Sequence, residues 1–213
     1  MKKTYLYLIL SFYTLFELMG QTCPTTIKVS SSCSCHTCTG TIEVVNYETY
    51  CKRVLPQEWY NCWGSLTNGM NSLQAGAVAI RSYTIPRIAN YVSSHGGGTY
   101  DICATTCCHV YGTTQYTNSN NAVINTANMV LVSGSTIQST EYAAEQNNHP
   151  SCGNGYKGNG TTSWPCTADG PCTGKTYNGH GRGACQWGTA RWATGDVLSS
   201  CSLAGSHGYG TKT

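Results

Sequence analysis

One acid stands out by its neighbours. In the stretch VLPQEWYNCWG, Val54 to Gly64, Glu58 precedes Trp59 directly and Trp63 by five residues, in a chain with only nine acids among 213 residues. A carboxyl group beside indoles loses water that stabilises its charged form, so its pKa rises, and a glutamic acid that holds its proton at working pH can give it up and take it back. Two further stretches carry residues able to assist. Arg81, in LQAGAVAIRSY, offers a guanidinium that can reach an acid or a hydroxyl, with Ser82 and Tyr83 beside it. His180 and Gln186, in HGRGACQWG, sit among glycines that permit a tight backbone path and close approach. Each has a plainer reading: Glu58 as a solvated charge between a strand and a helix, Arg81 as a salt bridge pinning its helix, His180 as a buried imidazole satisfying loop carbonyls.

The elements around these residues follow from pattern. Thr41 to Val54 reads as a strand region, rich in β-branched residues. Leu73, Ala77, Ile80, Thr84 and Ile88 recur at helical steps and predict one prominent helix over about 70–92, with Asn71 or Ser72 as N-cap and Pro86 ending or kinking it. Gly76 weakens that helix by about 1 kcal/mol relative to alanine. Tyr100 to Tyr111 and Met129 to Thr140 read as strands, the latter folding back at Ser133-Gly134. A short helix is expected over Asn121 to Asn128 and another over Thr189 to Leu198. Between them Asn147 to Gly179, poor in apolar residues, reads as a long disulfide-pinned loop. The fold class is α+β: a single disulfide-rich domain with mainly antiparallel strands.

The composition narrows the setting. Lys2 and Lys3, an apolar run from Tyr5 to Met19 and the small residue Gly20 have the form of a secretory signal peptide over residues 1–20, too short and too interrupted by Glu17 for a membrane anchor. Residues 21–40 form a Cys-rich segment and 41–213 the main domain. All fourteen cysteines follow the leader, which points to disulfides in an exported chain. A net charge of +3 without a basic run excludes nucleic acid as an expected partner, and no stable membrane insertion is expected after signal cleavage. Asn159-Gly160-Thr161 is a glycosylation sequon, meaningful in a eukaryotic secretory pathway.

Taken in order, Tyr50, VLPQEW with Glu58, Trp63, LQAGAVAIRSY, YDIC followed by VYG, and HGRGACQWG resemble the sporulation stage II protein D and amidase-enhancer LytB family over about residues 44 to 195. The resemblance implies peptidoglycan as the target. Sporulation members are lytic transglycosylases that cleave glycan strands lacking stem peptides, and Glu58 matches their proposed acid. Amidase enhancers instead bind the wall or a partner and stimulate another hydrolase. A glycosidase of the usual kind needs two carboxylates. A lytic transglycosylase needs one, because the C6 hydroxyl of the muramic sugar attacks its own anomeric carbon, and that suits a chain poor in acids. The expectation is therefore an exported protein that cleaves glycan strands with Glu58 as acid/base, supported by Arg81, Ser82, Tyr83, His180 and Gln186. The alternatives are a non-catalytic amidase enhancer and, less favoured, a cysteine-rich extracellular binding module.

Three departures from the family pattern carry expectations. Gln74 and Gly76 stand where lysine and glutamine are usual. Ala184 and Cys185 replace methionine and serine, which implies a loop re-stapled through Cys185. Glu145, after Tyr142, occupies a segment that is usually Ser-rich with Gly-Gly-Thr, and is a rival acid. Some sporulation members bind zinc near the present CATTCCHVYG, which makes Cys103, Cys108, His109 and His95 a zinc set. Export favours disulfides over metal there, so no cofactor is expected.

Overall fold

The computed structural model describes residues 23–34, 37–38, 40–90, 100–145, 156–158, 162–164, 169–172, 174–176, 178–180 and 183–212, and the leader and His95 lie outside them. The chain enters on β1 (Thr26–Ser30), makes the small hairpin β2 (Cys33–Ser34) and β3 (Thr37–Cys38), and returns on β4 (Ile42–Asn46) antiparallel to β1. Here the expected strand region divides. It stops at Asn46, whose side chain accepts the Thr49 N–H, and α1 (Tyr47–Glu58) follows directly. Tyr47, Tyr50, Cys51, Val54 and Leu55 are its buried residues, a stripe at steps of three and four that outweighs the local β-branched composition. Glu58 thus closes a helix and does not sit in a strand-to-helix link.

After a 3₁₀ turn at Asn61–Ser65 comes α2 (Met70–Asn90), the prominent helix of the sequence reading. Its start at Met70 places Asn71 and Ser72 within the helix, not at its cap. Pro86 does not end it, and the Arg87 guanidinium donates to the Tyr83 carbonyl as the helix passes the proline. At Gly76 a Cβ would lie 2.7 Å from the Trp59 indole and 2.9 Å from Leu55, so the residue that weakens α2 is the one that lets α1 and Trp59 pack against it.

Strand β5 (Ile102–Cys103) adds to β1 in parallel, giving the order β4-β1-β5. Then come α3 (Thr117–Asn125), the hairpin β6 (Val132–Ser133) and β7 (Thr136–Ile137), and β8 (Tyr142–Ala143). β9 (Tyr156–Gly158) pairs antiparallel with β10 (Thr162–Trp164) inside the stretch read as a loop, and a 3₁₀ turn follows at Gly170–Cys172. β11 (Ala184–Cys185) lies parallel to β8 and leads straight into α4 (Gln186–Thr194). The chain then forms β12 (Asp196–Ser199) and β13 (Ser202–Ser206), an antiparallel pair where the sequence reading continued the helix to Leu198. Gly195, with φ of 78°, caps α4 and turns the chain into that pair.

The core gathers Val54, Leu55, Trp59, Trp63, Leu73, Ala77 and Ile80, where α1, α2 and the 3₁₀ turn meet. Disulfides join Cys33 to Cys38, Cys62 to Cys201 and Cys103 to Cys108, and Cys107 is disulfide-bonded as well. The Cys62–Cys201 bond ties the turn after Glu58 to the C-terminal hairpin across 139 residues. No helix among the described residues is long and apolar enough to cross a membrane.

Candidate functional site

Glu58 ends α1 with no basic residue in the last turn, where the helix dipole disfavours negative charge. Its Oε1 accepts the Val110 N–H at 2.6 Å. Its Oε2 has a longer contact, 3.3 Å, from Gln186 Nε2, and the same amide donates to the Glu58 carbonyl at 2.8 Å. Burial pushes the carboxyl pKa above its ordinary value, opposed by the two hydrogen bonds to the charged form. No lysine, arginine or histidine among the described residues forms an ion pair with it.

The carboxyl opens into a groove of about 390 Å³ walled by Tyr60, Trp63, Trp187 and Asn178. Trp63 and Trp187 meet edge to face at 5.0 Å, and Tyr60 lies 5.2 and 5.4 Å from them. Both tryptophans of the opening motif are buried. Trp59 donates its indole N–H to Thr189 Oγ1 (3.1 Å) and Trp63 to the Ser200 carbonyl (2.8 Å), so the wall is fixed from behind by α4 and the C-terminal hairpin. Such a surface, half aromatic and half polar, fits a ligand with apolar faces and hydroxyl edges.

Of the residues expected around Glu58, the fold delivers Gln186. Pairing of β11 with β8 sets Ala184 beside Tyr142 and Cys185 beside Ala143, and Gly183 is needed there, since a Cβ would collide with the Glu141 carbonyl and φ is 73°. Arg81 goes elsewhere. It is fully buried, holds Glu48 through two bonds of 3.0 and 2.7 Å, and donates to the Thr126 and Val123 carbonyls, which locks α1, α2 and α3 together. Ser82 is likewise structural, donating to the Val78 carbonyl and accepting the Leu131 N–H. Tyr83 packs on His109, ring centroids 4.5 Å apart, and carries the Arg87 guanidinium on its ring. His180 is exposed and, with Tyr83 and His109, lines a small cavity of about 70 Å³ separate from the Glu58 groove.

The proposed zinc set is altered by the Cys103–Cys108 disulfide, which removes both thiolates. His109 is buried, its Nδ1 2.8 Å from the Tyr50 hydroxyl, and burial together with the nearby Arg87 charge lowers its pKa to about 3, so it is neutral. This imidazole seats the residue before Val110, whose N–H holds Glu58. The rival acid Glu145 is occupied by Arg191, which forks onto both its oxygens at 2.8 and 2.7 Å.

Sequence reasoning missed Val110, Tyr60 and Trp187. Val110 acts through its backbone, which no side-chain pattern reports, although VYG was part of the motif set. Tyr60 and Trp187 were quoted within motifs but became one wall only through the contact of α4 with the 3₁₀ turn.

A family model described as Stage II sporulation protein, SpoIID, matches residues 36–132. The match includes Glu58, Arg81, Ser82, Tyr83 and the Cys103 to His109 segment, and ends before His180 and Gln186. No curated protein matches the chain.

Proposed function

Because this chain belongs to the SpoIID family, tied to sporulation and the cell wall, we propose that it is an exported protein that cleaves peptidoglycan glycan strands as a lytic transglycosylase. The observation that carries this reading is a lone desolvated carboxyl, Glu58, without a cationic partner among the described residues, at the foot of an aromatic groove. The two oxygens divide the work. Oε1 is fixed by its short bond to the Val110 N–H, and Oε2, with only the long Gln186 contact, is the one that carries the proton. In the reaction Glu58 gives that proton to the glycosidic oxygen as the bond from C1 of the muramic sugar breaks. The C6 hydroxyl of the same sugar then closes on C1 and returns its proton to Glu58. One strand ends in a 1,6-anhydro sugar, the other in a free hydroxyl, and no water is consumed. Tyr60 and Trp187 supply the faces on which sugar rings stack.

The test is incubation of wild type and Glu58→Gln with peptide-free glycan strands, with products analysed for anhydro-muramic ends. Product from wild type and none from the variant is expected. Equal product from both would remove Glu58 from the mechanism, and none from wild type over a broad pH range would remove the enzyme.

The second reading, a wall-bound amidase enhancer, has its own observation. An apolar groove of about 460 Å³ between α2 and β11 is lined by Val78, Ala79 and Leu131, the last of these exposed. Such a surface suits a protein partner. Stimulation of an added amidase by Glu58→Gln as strongly as by wild type, with no anhydro product from either, would favour it.

A further inference from the structure

Behind α4 lies a group of side chains that the glycan-cleaving reading does not use. Cys172, in the Gly170–Cys172 turn, and Cys185, the N-cap residue of α4, are both buried with their sulfurs 3.2 Å apart. Around them stand Asp169, whose Oδ2 is 3.0 Å from the Cys172 sulfur, Glu145 at 3.3 Å from the Cys185 sulfur, and Arg191 at 3.3 Å from the Cys172 sulfur.

We propose that Cys172 and Cys185 are a redox pair that closes to a disulfide, binding the Gly170–Cys172 turn covalently to the start of α4. The sulfurs need to approach by roughly 1 Å to reach bonding distance near 2.05 Å. The surroundings assign the parts. Cys185 Sγ accepts the Gly188 N–H at 3.1 Å in the first turn of α4 and donates to Glu145 Oε1 at 3.3 Å, so a carboxylate stands ready to take its proton. Cys172 is the member that keeps its proton, its pKa raised by its bond to Cys185, then by burial and by Asp169. In the exchange Cys185 passes its proton to Glu145 and attacks an external disulfide, such as oxidised glutathione, releasing one thiolate. Cys172 passes its proton to Asp169 and attacks the Cys185 sulfur of the mixed disulfide, releasing the second. Two protein thiols are oxidised and one external disulfide is reduced to two thiols, so atoms and electrons balance. Because both sulfurs are buried, the exchange takes place before the 169–172 segment packs or during its local opening.

A metal competes for the same donors, since Glu145, Cys172 and Cys185 place one ligand atom each within 4.8 Å of one another. Yet both Glu145 oxygens already bind Arg191, and that guanidinium, 3.3 Å from the Cys172 sulfur, opposes any cation placed there. The disulfide has no such cost. It also bears on the groove, because Gln186, the residue after Cys185, holds Glu58; the bond itself is independent of whether Glu58 is catalytic.

The experiment uses the full chain equilibrated in glutathione buffers of increasing oxidised fraction, trapped by alkylation, digested without reductant and mapped by mass spectrometry, with zinc measured on the same sample. The expected result is a cross-linked pair of peptides holding Cys172 and Cys185 that accumulates with oxidised glutathione, and a Cys172→Ser variant in which Cys185 becomes fully alkylated. Alkylation of both cysteines under the most oxidising buffer, cross-links from either to another cysteine, or one tightly held zinc per chain that protects both thiols would each overturn it.

Discussion

Helix α1 carries a glutamate near each end, and the two are treated in opposite ways. Glu48, in the first turn, faces the favourable end of the helix dipole and meets the Arg81 guanidinium, itself fully buried and tied to α3. Glu58, in the last turn, faces the unfavourable end and has only a backbone N–H and an amide. Ten residues of one helix therefore separate a charge that holds the fold together from a carboxyl whose charge is penalised. The difference teaches how to tell a structural acid from a chemical one: by what completes its charge, not by whether it is buried. Arg81 and Glu58 lie in neighbouring motifs of the same family pattern, and only the partners separate their roles.

The comparison breaks first at Arg81. Arg81→Ala leaves Glu48 and the carbonyls of Val123 and Thr126 without their donor, and a loss of about 3–5 kcal/mol is expected, enough to leave much of the chain unfolded in a urea titration. Stability close to wild type would mean that the cluster does not hold the helices. Glu58→Gln should do the reverse, cutting glycan cleavage by about 100-fold to 10,000-fold while the fold survives.

Its stability signature has a definite sign. With a folded pKa above the unfolded value near 4.3, the native state binds more protons between the two, so the Glu58 contribution to stability falls as pH rises through that window. Glu58→Gln should equal wild type or exceed it in urea midpoint at pH 7, with the advantage vanishing below about pH 4. A smaller effect is expected from Gln186→Leu. It removes a bond that favours the charged carboxylate, so the alkaline limb of the pH–rate profile should move to higher pH. The smallest belongs to the Glu43–Arg53 pair, whose side chains are 48% and 22% exposed. Glu43→Ala should cost less than about 1 kcal/mol in the same urea titration, despite a contact distance similar to that of Arg81 and Glu48.

How much of this was legible in the sequence follows from the range of the interactions. The α2 helix, the use of cysteines in disulfides and Gln186 beside Glu58 are readable, because each is carried by side-chain type or by motif order. Helix α1 was missed although Tyr47, Tyr50, Cys51, Val54 and Leu55 show its stripe, because three β-branched residues just before it suggested a strand running on. Arg81 was placed near the acid on its reach alone; Glu48, which captures it, is 33 residues away in the chain and carries no local mark. Gly76 reads as a helix-weakening residue, and the Trp59 indole that lies on it is a packing contact no local pattern reports. Glu145 reads as a rival acid because it departs from the family pattern after Tyr142, and its partner Arg191, 46 residues away, carries no local mark.

The account rests most directly on the protonation of Glu58, measured by carbon-detected NMR titration of its side-chain carboxyl and assigned by loss of the signal in Glu58→Gln. A midpoint clearly above the ordinary glutamate value of about 4.3 is predicted, moving higher in Gln186→Leu. A midpoint at or below that value would contradict it, because a carboxyl already charged at working pH has no proton to give to a glycosidic oxygen.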